Sequence, residues 1–114
     1  MTKRNLYYIN HIKEALESIE KYTQNLDRQG FLKNKMVQDA VIRNFEIIGE
    51  ATKKLSDDFK EKYGYVEWRS IAGMRDKLIH DYIGVDLWAV WAVITDRIPE
   101  FKKQINDIIT IESG

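Results

Sequence analysis

The sequence predicts an all-α protein, and three observations carry that prediction. Apolar residues recur at spacings of three and four along nearly the whole chain, the signature of amphipathic helices. No segment shows the strict apolar–polar alternation of a half-buried strand. A single proline, Pro99, leaves the other periodic stretches unbroken. The expected architecture is an up-and-down helical bundle of four main helices plus a short one, one domain over residues 1–114.

Residues 4 to 23 place Ile9, Ile12, Leu16 and Ile19 on one stripe, flanked by Tyr8, Ala15 and Tyr22. "NLDRQGF", with Asn25, Asp27 and Gly30, reads as a loop. A second helix, roughly 34 to 55, carries Val37, Val41, Phe45, Ile48, Thr52 and Leu55, widened by Ala40, Ile47 and Ala51. Asp39, Arg43, Glu46 and Glu50 fall on its opposite, solvated side, whereas Asn44 falls in the apolar sector. Ser56 is an N-cap candidate for the short helix "DDFKEKY", which Gly64 ends. A fourth helix runs from Trp68 to about Ile83, closed by Gly84. Asp86 caps a fifth, whose stripe is Leu87, Trp91, Ile94, Ile98, Phe101, Ile105 and Ile108, with a kink expected at Pro99.

The bulk properties exclude several function classes. Lys plus Arg and Asp plus Glu both number 18, so no broad attraction for nucleic acid is visible from net charge, although a local basic patch stays open. The absence of cysteine excludes disulfides and thiolate metal sites. The N-terminal "MTKRNLYYINHIKEAL" carries charges where a signal peptide needs an apolar run. No apolar stretch approaches the ~18 residues of a membrane span, so a cytoplasmic protein is expected.

The anomaly lies in "MRDKLIHDY", Met74 to Tyr82. At about 100° per residue, Trp68 and Tyr82 fall within roughly 20° of Arg75, and Ile71 and Ile79 within roughly 40°. Leu78 and Ala72 follow at about 60°. A guanidinium in the middle of that stripe must be paired or open into a cleft, because an unpaired buried charge is very costly. His80 lies about 140° round from Arg75, with Asp76 as its i,i+4 neighbour, placed to accept a hydrogen bond from the imidazole. Spacing alone therefore does not bring Arg75 and His80 together. The arginine reaches round, the helix is irregular, or a second copy of the chain completes the site. A structural ion pair for Arg75 and a surface role for His80 stay open on these residues alone. Of the rest, His11 reads as a surface residue, Asn44 as a satisfied buried amide or a cleft residue, and Trp68, Trp88 and Trp91 as core or dimer contacts.

Arg75 to Tyr82 spells R-x4-H-x-Y, which resembles the active-site signature of the HEPN-domain toxins of the HepT-like family. "DAVIRNFEIIGEATKKL" (Asp39 to Leu55) and "WRSIAGMRDKLIHDYIGVD" (Trp68 to Asp86) are similar to the family's second-helix and central segments, and "LWAVW" follows in register. The resemblance spans roughly residues 5 to 105. It implies a homodimeric HEPN-like bundle acting as a metal-independent endoribonuclease, with no cofactor. It also implies a toxin of a type VII (HEPN/MNT) toxin–antitoxin pair, whose MNT-type nucleotidyltransferase antitoxin transfers AMP to the motif tyrosine, here Tyr82. Arg75 and His80 carry over as catalytic residues, and Asp76 meets the polar position after the arginine.

Histidine suits proton transfer because its unperturbed pKa, about 6.5, lies near working pH. Arginine suits a phosphate because its charge is permanent and its fork matches two oxygens. Asp76 would orient His80. A single histidine does not readily serve as both acid and base in one step, so two protomers sharing a cleft would give dimerisation a chemical purpose. The alternative is a non-catalytic helical dimer serving as a binding or regulatory subunit of a nucleotidyltransferase, which zero net charge favours weakly.

Overall fold

Several of the helices start where a polar side chain satisfies a first free backbone N–H group. The computed structural model describes residues 2–80 and 86–114, except the side chains of Arg75 and of residues 77–80. Thr2 caps α1 (Lys3–Thr23), its side chain accepting from the Asn5 N–H. Asn34 caps α3 (Lys35–Lys54) by accepting from the Val37 N–H at 3.1 Å. Ser56 caps α4 (Asp57–Lys62) through the Phe59 N–H, and Asp86 caps α6 (Leu87–Asp96) through the Trp88 and Ala89 N–H groups, both as the sequence suggests. The motif helix, α5, covers Trp68–His80. The expected continuation to Ile83 and closure at Gly84 lie outside the described residues.

The all-α expectation holds: the described residues form seven helices and no strand. Two details differ from the reading of the sequence. The stretch expected to be a loop contains a short helix, α2 (Arg28–Lys33). Asp27 Oδ1 accepts from the Gly30 N–H at 2.8 Å, and Phe31 is fully buried, its ring centroid 5.3 Å from that of Trp91. Six residues cannot sustain a helix by propensity. Burial of Phe31 against another part of the chain holds this one, and local sequence does not announce such burial. The second difference is at Pro99. The fifth helix is not simply bent but divided at Arg97 into α6 and α7 (Ile98–Ser113), with Pro99 in the first turn of α7. Proline brings no N–H, so the interior of a helix loses a bond there, whereas the first turn loses nothing.

The helix α3 is the centre of the bundle, with α1 and α5 packed on it; α7 lies on α1, and α2 bridges α3 and α6. The predicted stripes are the core. Ile9, Ile12, Leu16 and Ile19 of α1 meet Val41, Phe45 and Ile48 of α3 and Ile105 and Ile108 of α7, all essentially inaccessible to solvent. Each such side chain contributes about 1.5–3 kcal/mol relative to exposure. One polar link crosses this packing. Buried Asn5 donates from Nδ2 to Ser56 Oγ at 3.1 Å and accepts from the Ser56 N–H at 3.0 Å, tying the start of α1 to the end of α3. The two helices therefore run antiparallel. Trp68, also buried, donates its indole N–H to the Tyr63 carbonyl at 3.0 Å and anchors the start of α5 among Phe59 and Phe101.

Candidate active site

Trp68 sets the rotational position of α5, because its ring is buried and its single donor is spent on the Tyr63 carbonyl. Ile71 and Met74 follow it as half-buried side chains packed against the core. The backbone then continues as regular α-helix through Arg75 to His80. These two positions are thus about 140° apart around the axis and about 7.5 Å apart along it. No irregularity of the helix backbone brings these two positions together. The side chains of Arg75 and His80, and the whole of Tyr82, lie outside the described residues.

Asp76 is described. Its Oδ2 lies 3.5 Å from Lys53 Nζ on α3, with both side chains about half exposed. This ion pair fastens the motif-bearing turn of α5 to the last turn of α3, and the sequence reading had not singled out Lys53. Its only signal there was a basic residue near a helix C-terminus, where a cation complements the helix dipole and needs no further reason. Arg43 and Glu50 are exposed, as expected of a solvated face, and Arg43 pairs with Glu46 at 3.4 Å. Asn44 is half-buried and donates to the Ala40 carbonyl at 2.8 Å, the satisfied amide that its place in the apolar sector suggests.

His11 departs from the surface position expected of it. It is half-buried in a groove of about 330 Å³ between α1 and α3, its ring centroid 4.4 Å from that of Tyr7. A larger cleft, about 410 Å³, lies between α5 and the α6–α7 junction. Ile71, Met74, Val93, Ile98 and Phe101 form its apolar wall, and Glu67, Asp96, Arg97 and Glu100 its rim. Of the tryptophans, Trp68 is core and Trp91 packs on Phe31, but Trp88 is 56% exposed beneath the Arg28 guanidinium, 4.2 Å from its ring centroid.

Residues 12–108 match the family model described as ribonuclease HepT-like. The chain belongs to the HepT-like ribonuclease family. A Thermococcus cleftensis protein named "Probable ribonuclease HepT" is 44% identical over 108 residues, covering 95% of this chain and 98% of its own. A Methanocaldococcus jannaschii protein named "Putative RNase" is 43% identical over 110 residues, 96% of this chain and 91% of its own. A second protein of that organism, named "Gamma-glutamylcyclotransferase and putative RNase", is 47% identical over 109 residues. That alignment takes in 96% of the HepT-like chain but only 49% of the longer relative. No solved structure matches. None of the described helices is long and apolar enough to cross a membrane.

Proposed function

We propose that this HepT-like chain is an endoribonuclease that cleaves RNA without a metal ion, using Arg75, His80 and Asp76. One observation carries the reading: the family match spans residues 12–108, and within it the sequence from Arg75 to Tyr82 reads as an intact R-x4-H-x-Y. In the reaction the RNA 2′-oxygen attacks the adjacent phosphorus. The 2′-hydroxyl proton passes to a base, the bond from phosphorus to the 5′-oxygen breaks, and an acid protonates the departing 5′-oxygen. The products are a 2′,3′-cyclic phosphate and a 5′-hydroxyl. His80 supplies proton transfer, Arg75 stabilises the anionic phosphorane, and Asp76 orients the imidazole. Because Arg75 and His80 stand about 140° apart on a regular helix, a homodimer supplies the convergence, with the motif of each protomer facing one cleft.

The biological setting that fits is a toxin held inactive by an MNT-type nucleotidyltransferase. AMP added to the Tyr82 hydroxyl brings bulk and negative charge next to the motif and repels RNA as a phosphate would. Two measurements test this. Incubation with such a transferase and ATP adds the mass of AMP to the Tyr82 peptide; a transferase that neutralises the toxin while leaving that peptide unmodified removes the tyrosine from the scheme. Expression of the chain alone arrests growth, and Arg75→Ala relieves the arrest. No arrest on expression of the chain alone would instead favour the non-catalytic subunit of a nucleotidyltransferase, and equal toxicity of Arg75→Ala would remove the arginine from the mechanism.

A further inference from the structure

The groove between α1 and α3 takes no part in the chemistry above, yet it is lined in a way that suits a ligand. Tyr7, Tyr8 and His11 form one wall and Arg43, Glu46, Glu50 and Lys54 much of the other, with Ile47 and Ala51 in the floor. The three rings brace one another. Tyr7 meets Tyr8 edge-on at 5.1 Å between centroids and tilts over His11 at 4.4 Å. Tyr7 remains 58% exposed, so one ring of the cluster is offered to solvent. Such a ring loses little side-chain freedom when a flat ligand stacks on it. Arg4 falls on the same face of α1, three and four residues before Tyr7 and Tyr8 and seven before His11.

Position favours one ligand class. Lys54 lines the groove, and its neighbour Lys53 holds Asp76 beside the motif on α5. Lys54 and Lys53 stand about 100° apart on the last turn of α3, one at the groove and the other at the helix that carries Arg75 and His80. We propose that this groove is a substrate subsite, in which a base of single-stranded RNA flanking the cleaved bond stacks on Tyr7 and its phosphate meets Lys54. This inference rests on the ribonuclease reading. Exposed rings beside cations are the usual device for unpaired nucleotides, and stacking accepts any base. The two carboxylates in the wall, Glu46 and Glu50, balance Arg43 and Lys54. Stacking therefore dominates here, and the dependence on salt is shallow.

The test measures binding of a fluorescein-labelled, unstructured 12-nucleotide RNA by anisotropy, with the full chain in a His80→Ala background that leaves the RNA intact. Tyr7→Ala weakens binding about 5- to 100-fold, the range for loss of one base–aromatic stack, whereas Tyr7→Phe keeps it. Lys54→Ala lowers the salt slope by about 0.7, one single-strand phosphate contact. Unchanged affinity in Tyr7→Ala overturns the subsite, as does equal loss in Tyr7→Ala and Tyr7→Phe. The reading beneath it is scored separately, by cleavage with the otherwise wild-type chain. Cleavage with no Tyr7 effect removes the subsite alone. A Tyr7-dependent complex with no cleavage removes the ribonuclease alone. Capture of a peptide but not of RNA by the groove overturns the nucleotide assignment.

Discussion

Lys53 Nζ on α3 lies 3.5 Å from Asp76 Oδ2 on α5, one residue after the motif arginine. Both side chains are about half exposed, so water screens the pair and its effect on stability is below about 1 kcal/mol. Its consequence falls on function instead. Lys53→Ala leaves the urea midpoint nearly unchanged but alters RNA cleavage, because the carboxylate assigned to His80 loses its neighbour. Asp76→Ala lowers cleavage further than Lys53→Ala. A fluorogenic RNA assay run beside urea melts separates the effects, and a Lys53→Ala enzyme that loses stability and activity in equal measure contradicts the assignment.

The proposed mechanism gives the two motif residues on α5 different tasks. His80→Ala reduces cleavage about 10²–10⁴-fold, the usual contribution of a positioned acid or base. Arg75→Lys retains the charge but not the two-pronged geometry, and recovers only part of the activity that Arg75→Ala loses. Single-turnover cleavage rates check both. Full activity in Arg75→Lys would mean that charge alone suffices.

Asn5 and Ser56 exchange two hydrogen bonds across the bundle, and Ser56 also caps α4. Asn5→Ala removes both bonds; Ser56 is exposed, so water replaces the lost partner and the cost is about 0.5–1.5 kcal/mol for each bond. Denaturation by urea reads this directly. Leu6→Ala, one residue along on the exposed side of α1, changes it little.

Lys62 donates to Glu112 at 3.1 Å, joining α4 to the end of α7. This hydrogen bond holds the Glu112 carboxyl below the ordinary glutamate range and raises Lys62 above the ordinary lysine range. The lowered acid stabilises the fold above its ordinary pKa, about 4.3, and that stabilisation disappears as pH falls through the lower folded value. The raised lysine contributes below its ordinary pKa, about 10.4, and its share disappears as pH rises past the folded value. Glu112→Gln therefore has a lower thermal midpoint than the parent between roughly pH 5 and 10, and the gap closes on either side. A gap that is constant from pH 3 to pH 7 would rule out the ion pair as its source.

Helix periodicity alone located α1, α3, the start of α5 and the buried stripe of α7, because the apolar period is a local property of the chain; in α6 it found Ile94 but not the fully buried Val90. Polar caps at Ser56 and Asp86 were legible for the same reason: a cap acts within three residues. The α2 helix was not legible. Its polar composition reads as a loop, and only Phe31 buried near Trp91 makes a helix of it. In the candidate site, Arg75 declared itself by breaking an apolar stripe. Lys53 and His11 gave no such sign, since a basic residue at a helix end and a histidine beside a stripe are both ordinary on a surface.

By itself the sequence determined the helical class, most of the core faces and the R-x4-H-x-Y pattern, all of which depend on residues within a few turns of one another. Tertiary structure alone decided that Lys53 reaches Asp76, that Asn5 locks onto Ser56, and that Tyr7 and His11 share a groove with Lys54. These pairs join residues distant in sequence. Their meeting depends on the angle and register at which α1 and α5 pack on α3, which the summed burial of many side chains decides and no local spacing encodes.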